Sequence, residues 1–350
     1  RWFAIQSTVG RSCAILAGRR VAGKYVYPMY YKKIEHWYEK MKRVIITGPT
    51  GAIGIALIQQ MIEEQIEVIA VCNPTSNRIS RIPKNPLVRI VKCDLSNLKI
   101  LSEIGLPSCD VFYHLGWAGT IGTGRNDTSI QEKNIRYTLD AVEAAHMLGC
   151  RRFVGAGSQA EYGRVEGILR PDTPVWPENG YGMAKWCAGM MSRLRCQQFG
   201  MEHIWIRVLS IYGPCDGPNT MVMSTINKLL AGETAETTKG EQLWDYLFSK
   251  DAGKAFYLAG ENGKNGAVYC LGSGQKYPLH EYITKIREAT APEAVIHFGA
   301  VPYAENQVMH LCADITSLQE DTGFEPETSF EDGIRQTVNW YKKERVGEKE

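Results

Sequence analysis

The sequence predicts an α/β fold: a doubly wound parallel sheet followed by a smaller C-terminal α/β lobe. Three observations predict it. Short β-rich apolar runs alternate with amphipathic helical stretches up to about residue 213, the first run ends in a glycine-rich turn that opens into a helix, and the rhythm loosens after Gly213-Pro214. Parallel strands need crossover connections, and helices between strands supply them.

The elements follow in order. Residues 43–47 form a short apolar run, residues 53–64 have helical spacing, and further runs lie at 68–71, 88–91 and 111–115. A long helical pattern spans about 129–148, followed by runs at 152–155 and 204–208. Beyond 214 the chain reads as loops and helices with one more strand at 267–271. The expected division is an N-terminal extension (1–40), a dinucleotide-binding domain (41–213 plus about 244–275), and a substrate-binding lobe (about 214–243 and 276–345).

Composition narrows the function classes. The 350 residues carry a formal charge of +2, and residues 1–40 hold eight Lys/Arg and two Asp/Glu, leaving 32 and 36 beyond them. A slightly acidic body argues against a nucleic-acid partner. Ten cysteines without a C-x-x-C pair suggest neither a zinc site nor a disulfide framework, and no metal is expected. The apolar stretch at 13–18 is too short to span a bilayer, and no other run is long enough, so a soluble cytoplasmic protein without a membrane partner is expected. Met41, directly before the first run, looks like a natural start, which would make residues 1–40 an extension that need not be native.

The turn Thr47-Gly48-Pro49-Thr50-Gly51-Ala52-Ile53-Gly54 carries a specific task. Gly48 permits the tight turn, Gly51 lets the backbone approach a pyrophosphate, and Gly54 allows close packing of the helix on the sheet. The helix N-terminus then presents free N–H groups to the anion. Asp94, after the third run, is placed either to accept from an adenine amine or to cap a helix. The second run ends Val71-Cys72-Asn73, without the acid that would hold a ribose 2′-hydroxyl. Asn73, Ser76 and Arg78 would instead hold a phosphate, which favours NADP slightly over NAD.

The chemistry falls to Ser158, Tyr181 and Lys185. A Tyr-x-x-x-Lys pattern also occurs at Tyr38/Lys42 and Tyr246/Lys250, but only Tyr181/Lys185 follows the glycine turn and a run ending in serine. A free phenol ionises near pH ~10. A lysine one helical turn away is expected to make Tyr181 more acidic, so that it exchanges a proton with a substrate oxygen while hydride moves to or from a nicotinamide. Ser158 would hold the reacting oxygen. His114, His146 and His203 are read as core or helix-surface residues.

Together with these, His114-Leu115-Gly116, Asn134, Tyr162-Gly163, Arg207, Tyr212-Gly213-Pro214 and Asp245-Tyr246 resemble an extended short-chain dehydrogenase/reductase of the NAD-dependent epimerase/dehydratase family, which acts on nucleotide sugars. The resemblance covers about residues 41–341. It implies a Rossmann domain and a homodimer formed through two helices, here about 129–148 and 181–198. It also implies cofactor contacts from Gly48, Thr50, Gly51, Ala52, Ile53, Gly54, Asn73, Arg78, Asp94, Leu95, Leu115, Gly116, Trp117, Asn134, Tyr181 and Lys185. Substrate contacts are expected from Trp117, Ser158, Gln159 and Ser210.

Departures from the family pattern shape the expected reaction. In sugar 4,6-dehydratases an Asp-Glu pair follows the catalytic hydroxyl residue, whereas Gln159-Ala160 follow Ser158 here, so dehydration is disfavoured. Ser210 stands where relatives have Asn, and Trp244 where they offer Arg to a diphosphate; Arg207 and Lys276 are the substitute candidates. The run from Gly155 to Gly163 resembles deoxysugar-forming 4-ketoreductases such as CDP-abequose synthase. The readings are a 4-epimerase or an NADPH-consuming 4-ketoreductase of a nucleotide-linked hexose and, in a different class, a dinucleotide-binding sensor or scaffold without turnover.

Overall fold

In the computed structural model, residues 40–305 and 307–347 are described, with short strands between residues 4 and 26. Most of the expected extension, Tyr38 included, lies outside the described residues. The chain forms two compact units, residues 1–40 and 41–350. In the first, Ala4–Ile5 pairs antiparallel with Leu16–Ala17, and Arg19–Val21 with Lys24–Val26.

The second unit is built on seven parallel strands: β1 (Arg43–Thr47), β2 (Glu67–Cys72), β3 (Val88–Lys92), β4 (Val111–His114), β5 (Arg152–Ser158), β6 (Glu202–Val208) and β7 (Val268–Leu271). Their spatial order is β7-β6-β5-β4-β1-β2-β3, the Rossmann arrangement in which the order reverses between β1 and β4. Side-chain alternation explains the two layers. Val44 and Ile46, Val68 and Ala70, and Val111 and Tyr113 join one core, whereas Ile45, Ile69 and Phe112 join the other.

Helices α1 (Ala52–Glu63) and α5 (Ser249–Asn262) cover the first face, and α2 (Thr128–Met147) and α3 (Gly180–Gln198) pack together on the second. Gly253 makes the α1–α5 crossing possible, since a Cβ there would lie 2.6 Å from the Ala56 carbonyl carbon. On the other face, α2 opens on an Asp127 cap and α3 on an Asn179 cap, each accepting from a first-turn N–H.

The C-terminal part contains more β-structure than the one strand expected there. Ser210–Tyr212 pairs with Tyr246–Phe248, Ala235–Thr237 with Ile296–Phe298, and Leu243–Trp244 with both Tyr277–Pro278 and His310–Leu311. Strands of two or three residues are too short to show alternation, so the sequence does not announce them. Helices α4 (Met221–Leu230), α6 (Leu279–Thr290), α7 (Thr316–Thr322) and α8 (Phe330–Gly347) complete this part. A third core joins Val222, Ile226 and Leu229 to Ile286, Ile334 and Val338. Fully buried Asp245 ties the region together, accepting from the Ser273, Gly274 and Ala313 backbone N–H groups and from the Ser273 hydroxyl. No described helix is long and apolar enough to cross a membrane.

Candidate active site

All seven strands point the same way, so the turns after β1, β4 and β5 leave from one edge of the sheet. Thr47, His114 and Gly155 stand in register, and β5 runs on to Ser158. Gly48 takes φ +68°, and a Cβ there would lie 2.7 Å from the Gly116 nitrogen; glycine therefore serves both the turn and its contact with the next strand's exit. Gly54 is close-packed for a reason other than the expected one. A Cβ there would meet the Gly48 carbonyl oxygen at 2.4 Å, so the helix closes onto its own turn.

Gly51 differs from both. A Cβ there would find no neighbour nearer than the Gly48 carbonyl oxygen, at 3.9 Å. The N-terminus of α1 has no side-chain cap and no acid in its first turn. A positive dipole end with unclaimed N–H groups beside an open backbone suits a diphosphate. The adjoining crevice, about 510 Å³, is lined by Gly48, Thr50, Asn73, Arg78, Asp94, Leu95, Gly116 and Trp117 among others. These residues fit a dinucleotide.

Other expected cofactor residues have structural partners. Asp94 caps the 3-10 helix Leu95–Ser102 by accepting from the Ser96 N–H and hydroxyl, so capping is the role its geometry shows. The Asn73 amide donates to Asp94 while its carbonyl accepts from Thr75. The Ser76 hydroxyl accepts from the Arg78 N–H, and the Arg78 side chain is exposed. Buried Asn134 accepts from the Ala118 N–H and donates to its carbonyl, clamping the segment after β4. Leu115, Ala52 and Ile53 are half-buried; Leu115 and Ile53 pack against the core.

Ser158, Tyr181 and Lys185 meet where β5 ends and α3 begins. The Ser158 hydroxyl accepts from the Ala160 N–H and interacts with the Tyr181 phenol as a hydrogen-bond partner that favours ionisation. The Lys185 ammonium donates to the Ala156 carbonyl at 2.6 Å and sits 3.8 Å above the Trp117 ring. Trp117 in turn stands edge-on to Tyr181, with ring centroids 6.1 Å apart, and donates from Nε1 to Gln131. Trp117 also lines the crevice beside the glycine turn, so this aromatic and cationic cluster borders it.

Burial is the largest influence on Tyr181 and raises its pKa; Ser158 and Arg125 pull it down, and Glu161 pushes it further up. Burial lowers Lys185 itself to about 7, against the opposing pull of Glu161. Its ammonium is placed over the Tyr181 ring at 5.8 Å but is held more closely by Trp117 and Ala156.

Glu161 proves to be a structural centre. Fully buried, it accepts from the Ser158 N–H, from Trp205 Nε1 and from Arg207 Nε at 2.7 Å. This removes Arg207 from the phosphate-clamp candidates, because its guanidinium is buried on Glu161 and the Pro171 carbonyl. Lys276 is exposed. Sequence spacing missed the Glu161–Trp205–Arg207 group, yet Gly155, Gly157 and Gly189 were its signal: a Cβ at each would strike the Trp205 indole. Gln159 is half-buried in the turn after Ser158, and the Ser210 hydroxyl accepts from Trp244 Nε1. His114 bonds Thr47 and Thr138, and His203 bonds Ser192, as core histidines do.

A model of the NAD dependent epimerase/dehydratase family matches residues 44–272. The chain belongs to that family. Among its relatives, a putative UDP-glucose 4-epimerase of Methanocaldococcus jannaschii is 24% identical over 306 residues, covering 85% of this chain and 98% of the relative. The solved UDP-glucose 4-epimerase of Thermotoga maritima, with UDP-glucose, superposes with a TM-score of 0.79 at 22% identity, covering 87% of this chain and 99% of that one. A dTDP-glucose 4,6-dehydratase from Streptomyces venezuelae, solved with NAD bound, gives a TM-score of 0.77 at 21% identity, covering 87% and 98%. The epimerase/dehydratase family thus includes relatives named for both reactions.

Proposed function

We propose that this epimerase/dehydratase family member interconverts a secondary alcohol and a ketone at C4 of a nucleotide-linked sugar, with 4-epimerisation as its overall reaction. The convergence of Ser158 and Tyr181 beside the glycine-turn crevice carries this reading. Bound NAD or NADP would supply the hydride acceptor and donor. Gly48, Thr50, Gly51 and the first turn of α1 would hold its diphosphate, with Leu95, Gly116 and Trp117 along the crevice. Ser158 would orient the sugar oxygen, and Tyr181 would take its proton during oxidation and return one during reduction. Gln159 and Trp117 would flank the sugar. Ser210, already bonded to Trp244, would contact it only as part of that pair.

Dehydration fits poorly. Gln159 and Ala160 offer no acid, and the Glu161 carboxylate is committed to Arg207, Trp205 and the Ser158 N–H. A 4-ketoreductase is the second reading, favoured by one observation: burial keeps Tyr181 in its phenol form, which is ready to donate to a keto oxygen. The exposed Arg78 at the crevice and the absence of an acid at the end of β2 support NADP in that case. We further propose a homodimer through α2 and α3. Met183, Trp186, Met190 and Leu194 recur at helical spacing on α3 and are all more than 40% exposed.

A panel of UDP-, dTDP- and CDP-hexoses and their 4-keto forms, followed at the reduced-nicotinamide absorbance with product analysis, tests the reading. Inversion at C4 without net reductant supports epimerisation. Stoichiometric NADPH loss supports the reductase, and a product lighter by one molecule of water, one hydroxyl group and one proton, would overturn both.

A further inference from the structure

The turn that follows β5 is anchored more firmly than a surface turn requires. Glu161, the last residue of the 3-10 turn Gln159–Glu161, has no exposed surface. One carboxylate oxygen accepts the Ser158 N–H at 2.8 Å and Trp205 Nε1 at 3.0 Å, and the other accepts Arg207 Nε at 2.7 Å. Arg207 is fixed in turn: it donates to the Pro171 carbonyl, and its guanidinium carbon lies 4.5 Å from the centre of the Tyr162 ring. Gly157 leaves the space for this group, since a Cβ there would lie 2.4 Å from Trp205 Nε1 and 2.5 Å from the Glu161 carboxylate.

The same turn touches the helix that carries Tyr181. A Cβ at Gly182 would lie 2.2 Å from the Ala160 carbonyl oxygen, so glycine there lets the turn rest directly on the start of α3. Ser158 closes the arrangement from its own side, its hydroxyl accepting from the Ala160 N–H while its N–H donates to Glu161. The anchored turn therefore lies against both Ser158 and the residue after Tyr181.

We propose that Glu161 is a positioning residue for Ser158: its carboxylate, itself held by Arg207 and Trp205, fixes the backbone at the end of β5 and with it the placement of the Ser158 hydroxyl beside Tyr181. This rests on the reading of Ser158 as the group that orients the sugar oxygen. Stability alone does not account for the pair, because replacing a buried ion pair with well-packed apolar residues is often neutral. Reaction geometry does, since a misplacement of about 1 Å can cost about 100-fold in rate. The charge and the reach of Glu161 are separable. Arg207 needs the charge, whereas the Ser158 N–H needs only an acceptor oxygen at the right distance.

Two variants separate them. Glu161→Asp keeps the charge for Arg207 but draws the carboxylate back by one methylene from the Ser158 N–H. Glu161→Gln combined with Arg207→Met removes both charges but keeps an acceptor oxygen at full length. After melting curves show that both are folded, turnover on the nucleotide-hexose panel is measured per bound dinucleotide. Glu161→Asp should lower kcat about 10- to 100-fold with dinucleotide affinity unchanged, and the double variant should retain most of the parental rate. In a Ser158→Ala background Glu161→Asp should cost no further rate, because the group it positions is gone. Hydrogen exchange of a peptide covering 155–163 should rise in Glu161→Asp and stay near the parental level in the double variant; this and the Ser158→Ala comparison decide even if the double variant does not fold. Parental kcat or parental exchange in Glu161→Asp, an undiminished loss in the Ser158→Ala background, or a double variant as slow as Glu161→Asp would overturn the proposal. Ser158→Ala with parental turnover would remove Ser158 from the chemistry and the proposal with it, whereas an impaired Ser158→Ala beside a parental Glu161→Asp would sink the positioning role alone.

Discussion

The two ends of the molecule solve the problem of building a binding surface in opposite ways. The β1–β5 edge uses consecutive strand–turn–helix units, so Gly48, Gly51 and Gly54 act within seven residues of one another. The C-terminal part instead assembles short strands from distant segments, pairing 235–237 with 296–298 and 243–244 with 310–311, and one buried carboxylate, Asp245, ties the second pair's surroundings to Ser273, Gly274 and Ala313. The first arrangement is local, and its purpose shows in its spacing. The second depends on contacts that form only when the chain has folded, which leaves it freer to change what it recognises.

This contrast can be broken within the glycine turn itself. Gly54→Ala should show the largest effect, a loss of about 3 kcal/mol or more, because the new methyl meets backbone at 2.4 and 2.8 Å. Urea unfolding measures it; a stable variant would mean that helix and turn are not close-packed. Gly51→Val should unfold like the parent, because its backbone is already extended (φ −85°, ψ 170°) and no atom crowds the Cβ position. It should still weaken dinucleotide binding about 100-fold, worth ~2.7 kcal/mol, by filling the diphosphate approach. Calorimetric titration with NAD and NADP would show the loss and the preference together.

Acid stability sharpens the contrast further, because the sheet half keeps two histidines neutral in its cores. Burial holds His114 and His203 down at about 3, far below the unfolded value near 6.5. The unfolded chain therefore binds more protons between those limits, so stability should fall as pH drops through that window, by up to about 1.4 kcal/mol per unit for each. Above it these two groups contribute no slope. Urea midpoints at pH 7 and pH 5 should differ less in His203→Gln than in the parent, and equal differences would contradict this.

In the C-terminal part the expected effect is smaller and of another kind. Trp244→Phe removes the bond to Ser210 and should cost about 1 kcal/mol. It should leave dinucleotide affinity unchanged while shifting KM across a nucleotide-sugar panel. An altered dinucleotide affinity would show that the two ends are not separable in this way.

The same contrast explains what could be read from the sequence. Apolar runs located all seven sheet strands within a few residues, and the glycine turn, Ser158 and the Tyr181/Lys185 helix could be ordered along one sheet edge. The carboxylate Glu161 meeting Trp205 and Arg207, more than 40 positions away, could not be inferred from spacing. Nor could Arg125 over Tyr181, since a glycine-rich turn gives no sign of where its one arginine will point. Helical spacing puts Lys185 one turn from Tyr181 but says nothing about burial, which is the largest influence on both residues.

The account stands most directly on Tyr181→Phe, with dinucleotide affinity and turnover measured on the same preparation. General acid–base catalysis is worth about 10²–10⁴ in rate, so turnover should fall by that order while dinucleotide affinity stays unchanged. Turnover that persists in this variant would contradict the proposed chemistry.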